Sequence, residues 1–231
     1  MFEDRVYEIK ELTYDRLALV DYYHSVKHLA LDYSETRENA AKGLFTSVTL
    51  VGDDYIDNEF HDNPLIKGIM DLFNPKVKPI DSGNVAITIY QPGFQFNPHT
   101  DFSRKSVIMF PILPEDGGKG LDFYSEEILG EDAHLVHTEQ GSISAGHDDE
   151  FFLGTCHYST IHPTLMDTER VHGVRNDDRT RVYLQISMYD MFEDVVKMIK
   201  SGEFLNTQGE WNGKRNNKQF TKAQKCVGWK T

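Results

Sequence analysis

The chain is short of cysteine, of cations and of long apolar runs. Cys156 and Cys226 are the only thiols among 231 residues. They form neither a disulfide framework nor a Cys-x-x-Cys site, and a reducing compartment is the simpler setting. Lysine and arginine number 24 against 37 aspartates and glutamates, a net charge of −13. That balance counts against nucleic acid as the main partner, because phosphate contacts demand surplus cations. No apolar run approaches the ~20 residues needed to cross a bilayer. The opening stretch MFEDRVYEIK is charged where a secretory signal would be apolar. The expectation is a soluble, cytoplasmic protein with neither membrane nor nucleic acid as partner. Internal repeats and low-complexity tracts are also missing. The glycine-rich PEDGGKG lacks the Gly-Lys-Ser/Thr ending and the strand-to-helix setting of a phosphate loop, so it reads as a turn.

What is present is patterned for one β-rich domain. A chain of this length can bury a substantial core, and two domains are not expected. From Asn84 onward, β-rich runs are separated by Gly, Pro and Asp clusters: VAITIY, KSVIMFPIL, LDFYS, HLVHT, GSISA, CHYSTI, ERVHGV and RVYLQISMY. Runs at this spacing favour a sandwich or barrel over a parallel α/β sheet. Ahead of them, Thr13 or Asp15 caps a helix through RLALVDYYHSVKHLALDY. Leu17, Val20, Val26 and Leu29 form its apolar stripe, and the stretch ends near Gly43. A second helix is expected over residues 63–73, entered at Pro64, and a last one at MFEDVVKMIK. The organisation is thus a single domain over 1–231, with a helical support region at 1–83, a β core at 84–190, and a helix and basic tail at 191–231. His24 and His28, four residues apart, read as an exposed helical pair because no third ligand stands near them.

The chemistry-bearing residues cluster in two stretches. In YQPGFQFNPHTDF, His99 and Asp101 form a His-x-Asp pair, which on extended backbone shares one face. Far downstream, RVHGVRNDDRTRVYLQIS supplies His172 and then Arg181 at the start of a strand-like run. Two neutral imidazoles and a carboxylate hold ferrous iron with three adjacent positions open, enough for a bidentate 2-oxo acid and dioxygen. A guanidinium can then grip the far carboxylate of a dicarboxylic cosubstrate through two parallel hydrogen bonds. For the third ligand, His162, His147 and His157 are rivals of His172. For the cation, Arg179 is the rival of Arg181, two residues away and so on the same strand face.

In this ordered set the chain resembles the Fe(II)/2-oxoglutarate-dependent oxygenases, over roughly residues 85–189, and most closely their prolyl-hydroxylase-like branch. The matching parts are Tyr90 and Gly93 ahead of the metal pair, GLDFY at 120–124, HGV at 172–174 and RVYLQIS from Arg181. The resemblance implies a double-stranded β-helix (jelly roll, cupin-like) with flanking helices. It assigns iron to His99, Asp101 and His172, and the distal carboxylate of 2-oxoglutarate to Arg181. The segment from Gly141 to His172 is longer than a minimal member needs. VIMFPIL runs through the position where some prolyl hydroxylases carry a cosubstrate-binding tyrosine, which leaves Tyr90 as the hydroxyl donor. Fe(II) and 2-oxoglutarate are the implied cofactor and cosubstrate, with ascorbate as a further candidate.

The activity so implied is hydroxylation of a C–H bond in a peptide, amino acid or small molecule, with succinate and CO2 as coproducts. Two other readings keep the same barrel: a cupin-like metal enzyme that does not use 2-oxoglutarate, and a non-enzymatic binding module. The acidic body favours a basic peptide among the substrate classes. After Glu210 there is no acid, and Lys214, Arg215, Lys218, Lys222, Lys225 and Lys230 make the tail basic. It reads as a solvated terminal segment, with a docking tail for an acidic partner as the alternative. Trp211, Phe220 and Trp229 imply that part of it packs on the core.

Overall fold

The computed structural model describes residues 3–32, 41–42, 45–49, 63–74, 76–77, 85–101, 104–129, 148–175 and 178–206. The runs HLVHT and GSISA, His147, Cys226 and the basic tail lie outside the described residues.

Eight strands carry the architecture: β5 (Val85–Tyr90), β6 (Gln95–His99), β7 (Ser106–Leu113), β8 (Lys119–Tyr124), β9 (Phe152–His157), β10 (Thr164–Asp167), β11 (His172–Arg175) and β12 (Arg181–Met188). They divide between two antiparallel sheets, β10-β7-β12-β5 in the first and β6-β11-β8-β9 in the second. Consecutive strands cross from one sheet to the other except at β8 and β9, which is the winding of a double-stranded β-helix. The first sheet is extended by β1 (Val6–Glu8) on one edge and by β4 (Phe45–Thr49) and β2 (Leu31–Asp32) on the other. In the second, β3 (Ala41–Lys42) pairs with β6.

The alternation of side chains along the first sheet feeds two separate clusters. Val85, Ile87 and Ile89 of β5, Ile108, Phe110 and Ile112 of β7, and Val182, Leu184 and Ile186 of β12 pack against the helices. The opposite faces of β7 and β12 turn Val107, Met109 and Tyr183 toward the second sheet, where they meet Phe96, Leu121, Phe123, Cys156 and Val174. The turn between β7 and β8 has Gly117 and Gly118 at φ +81 and +67, a left-handed backbone that glycine adopts without steric cost.

Helix α1 (Arg16–Val26) is capped by Asp15, whose side chain accepts from the Ala18 amide at 2.9 Å. Its buried positions are Leu19 and Tyr23, four apart, while Leu17 is 66% exposed. Val20 and Val26 of the expected stripe pack against the same core, so the buried face is centred on Leu19 and Tyr23 and leaves Leu17 outside it. The helix also stops well short of Gly43: after a 3-10 turn at Lys27–Leu29 the chain becomes extended and pairs as β2 with β4. Sheet pairing overrides helix-compatible spacing here. His24 and His28 are both exposed. Helix α2 (Pro64–Asp71) starts as expected, with Pro64 in the first turn and Asn63 accepting from the Leu65 amide. Helix α3 (Phe192–Ser201) buries Phe192, Val195 and Ile199 and ends at Gly202 in the left-handed region.

Candidate metal centre

The site begins with an irregularity in β6. His172 of β11 lies opposite His99, but Val174 lies opposite Phe96, so β6 carries one residue more than its partner over this interval. Such a bulge re-aims the side chains beyond it. It places Phe96 and His99 on the same inward face, with ring centroids 4.2 Å apart, and sets His99 beside its cross-strand neighbour His172 at 4.4 Å. Asp101 follows directly, its amide donating to the Thr168 carbonyl at 2.9 Å. Its carboxylate lies between the imidazoles, Oδ1 at 3.8 Å from His99 Nε2 and Oδ2 at 3.6 Å from His172 Nε2.

Both imidazoles are prepared to act as ligands through Nε2. The Nδ1 of His99 is 2.8 Å from the Asn97 carbonyl and that of His172 is 2.9 Å from the Arg170 carbonyl. A carbonyl only accepts, so Nδ1 carries the proton and the Nε2 lone pair faces the cluster. Burial, reinforced by His172, pushes His99 down to about 3, although Asp101 and the Asn97 carbonyl favour its charged form. Burial lowers His172 too, against the opposing pull of Asp101. Burial alone would raise Asp101, but Arg104, with His172 and His99, outweighs it and holds the carboxyl below its ordinary value. Two neutral imidazoles and one ionised carboxylate, with ligand atoms all within 4.8 Å of one another, fit a divalent transition metal. Among the described residues this is the one such cluster of His, Cys, Asp and Glu.

The other histidines go elsewhere. His162 turns its Nδ1 to the Leu12 carbonyl at 2.9 Å and helps hold the N-terminal segment, while His157 is exposed at the end of β9. Of the two rival arginines, Arg179 is largely exposed and pairs with Asp116 at 2.9 and 3.2 Å. Arg181 is 1% exposed. It lies opposite Tyr90 in the β12–β5 register, with its guanidinium carbon 5.9 Å from the Tyr90 ring centre. Its Nη1 donates to the carbonyls of Lys119 and Gly120 at 2.7 and 2.9 Å, and the Tyr183 hydroxyl donates to the Lys119 carbonyl at 2.8 Å. Gly120 is needed for this packing: a Cβ there would lie 2.2 Å from Cys156 Sγ and 2.7 Å from the Tyr158 ring. Burial pushes the Cys156 thiol up to about 12, so it is an inert, protonated packing group.

Tyr90 stacks on Phe94 at 4.9 Å and meets Tyr183 edge-on. Tyr158 falls within the run CHYSTI, whose pattern gives no sign of a site role. It is buried just past β9, meets Tyr183 edge-on at 5.1 Å, and donates its hydroxyl to Met166 Sδ at 3.0 Å. Arg104, whose Nε is hydrogen-bonded to Asp101 Oδ2, was also missed. Its signal was available: a cation three residues after a ligand carboxylate can fold back onto it across a turn.

No family model matches the chain, and no curated protein matches it. Solved structures do. A Pseudomonas putida prolyl-4-hydroxylase aligns at 12% identity and TM-score 0.38, over 76% of this chain and 86% of that one. HygX from Streptomyces hygroscopicus, solved with nickel, 2-oxoglutarate and hygromycin B bound, aligns at 10% identity and TM-score 0.38, over 74% and 77%. SnoK, a non-heme alpha-ketoglutarate-dependent carbocyclase from nogalamycin biosynthesis, aligns at 10% identity and TM-score 0.42, over 80% of each chain. Likeness this distant carries no functional weight by itself; the winding of the eight strands makes the chain a double-stranded β-helix on its own geometry.

Proposed function

We propose that this chain is an Fe(II)- and 2-oxoglutarate-dependent dioxygenase that hydroxylates a C–H bond of a peptide, an amino acid or another small molecule, with succinate and CO2 as coproducts. The observation that carries the reading is the convergence of two neutral Nε2 atoms and one carboxylate, with ligand atoms all within 4.8 Å of one another. A metal held by such a facial set supplies, when bound, a redox centre with three adjacent open positions for a 2-oxo acid and dioxygen.

The chain's own residues do the rest. His99 and His172 hold the metal through Nε2 because their Nδ1 protons are committed to backbone carbonyls. Arg181 is a buried guanidinium fixed in orientation by two carbonyls, which suits it to the distal carboxylate of 2-oxoglutarate. Tyr90, on the facing strand, stands beside it as a hydroxyl-bearing neighbour. Phe94, Phe96, Phe123, Tyr158 and Tyr183 line the space between the sheets and keep water from the reacting groups. The burial and fixed orientation of Arg181 favour 2-oxoglutarate use over a cupin-like metal enzyme without it.

The test is succinate release from 2-oxoglutarate by the iron-loaded protein, first without added substrate and then against panels of peptides, amino acids and small metabolites. Slow substrate-independent turnover, stimulated by one panel, is the expected result. A protein that binds iron stoichiometrically but neither binds nor turns over 2-oxoglutarate would favour the cupin-like alternative.

A further inference from the structure

Asp101 is held by Arg104 as well as by its place between the two imidazoles. Arg104 Nε donates to Oδ2, and Arg104 Nη1 reaches Ser187 Oγ on β12 at 3.5 Å. Asp101 and Arg104 are each hydrogen-bonded to Thr168, which is fully buried. The Thr168 carbonyl accepts from the Asp101 amide at 2.9 Å, and the Thr168 hydroxyl donates to the Arg104 carbonyl at 3.1 Å. The Thr168 amide donates in turn to the Lys105 carbonyl, and the Lys105 amide to the Met188 carbonyl at 2.9 Å. These connections tie Asp101, Arg104 and Lys105 to β12 or to the residue that follows β10.

We propose that Arg104 is a positioning residue that, anchored through Thr168, occupies one oxygen of Asp101 so that the carboxylate meets the metal through the other. A carboxylate with both oxygens available can chelate a divalent ion and close a coordination position. With Oδ2, 3.6 Å from His172 Nε2, engaged by the guanidinium, single-oxygen binding through Oδ1, 3.8 Å from His99 Nε2, is favoured over chelation. Arg104 thereby keeps positions open for cosubstrate and dioxygen without touching either. This inference rests on the metal-centre reading above.

The experiment is titration of the full chain with Co(II), without cosubstrate, following the visible absorption of the bound ion. Its intensity reports coordination number. Arg104→Gln should weaken Co(II) binding about 10- to 100-fold, the usual consequence of losing an outer partner of a metal ligand, and should alter the band intensity. Arg104→Lys keeps a cation that can engage Oδ2 and should recover most of the affinity and the original spectrum. Arg175→Gln removes an arginine that pairs with Asp122 and Asp149 on the far face of the second sheet, and should leave both readouts unchanged. Wild-type affinity and spectrum in Arg104→Gln, or a Lys variant no better than the Gln one, would overturn the proposal while the metal centre stood. If the Gln variant does not fold, the Lys variant decides: wild-type affinity and spectrum support the proposal, and the loss of either overturns it. Failure of the unaltered protein to bind Co(II) would overturn both readings together.

Discussion

The two faces of the first sheet are built from the same strands and do opposite things. On the helix side, Ile87, Ile108, Phe110, Leu184 and Ile186 make a mostly aliphatic layer with α1, α2 and α3. On the inner side, the same strands offer Tyr90, Met109, Arg181 and Tyr183, packed against an aromatic second sheet that carries His172 and, past a bulge, His99. Period-two alternation lets one strand serve stability with one set of alternate residues and chemistry with the other. Substitutions at adjacent positions should therefore separate the two properties.

The sharpest separation is expected at the metal. Asp101→Ala removes the only anionic ligand of the cluster and should reduce iron-dependent succinate formation to background, while circular dichroism and a cooperative thermal transition persist. On the helix face, Leu184→Ala should do the reverse. Truncating a fully buried leucine costs about 2–5 kcal/mol, read as a lower denaturant midpoint, and metal affinity of the folded fraction should not change. One property lost without the other at each position is the pattern that the alternation requires.

The cosubstrate cation gives the next effect. Arg181→Leu should weaken 2-oxoglutarate binding on the order of 100-fold, since hydrogen bonds to a charged group contribute about 1.5–3 kcal/mol each. Calorimetry of the anaerobic metal-loaded protein measures it directly. Arg179→Leu, two residues away, is the internal control. Its exposed pair with Asp116 is worth at most about 1 kcal/mol, and 2-oxoglutarate affinity should not move.

A smaller effect should appear in the metal-free protein on acidification. His99 stays neutral in the folded state down to about 3, whereas in the unfolded chain it takes up a proton near its ordinary value of 6.5. Between those limits the unfolded state binds more protons, so stability falls as pH drops through that window. Asp101, whose folded value is also depressed, adds to the loss at lower pH. The melting temperature of the metal-free protein should be lower at pH 5 than at pH 7.5, and the difference should persist with metal bound, because the proton is taken up by the unfolded chain.

Much of this was legible in the sequence because it depends on local period or order. VAITIY, KSVIMFPIL, LDFYS, the HGV of ERVHGV and RVYLQISMY are strands as their patterns imply, and Pro64 opens α2, but β6 and β10 stand in none of the expected runs and CHYSTI is strand only at Cys156–His157. The His99, Asp101, His172 and Arg181 series was readable as an order of residues. What escaped depends on contacts distant in sequence. The spacing of α1 continues past Val26, but pairing with β4 claims residues 31–32 for the sheet. The bulge that turns His99 inward is a property of two strands, visible only in their register. Tyr158 gains its place from Tyr183 and Met166, and Arg104 is fastened through Thr168, 64 residues away.

The central claim is that the inner face holds a metal and, at its other end, the carboxylate of 2-oxoglutarate. Anaerobic calorimetric titration of 2-oxoglutarate into the full chain, with and without Fe(II), tests it most directly. The account predicts binding at one equivalent that is strong with the metal, much weaker without it, and lost again in the metal-loaded Arg181→Leu protein. Binding of equal strength in all three states, or no binding to the iron-loaded wild-type protein, would contradict it.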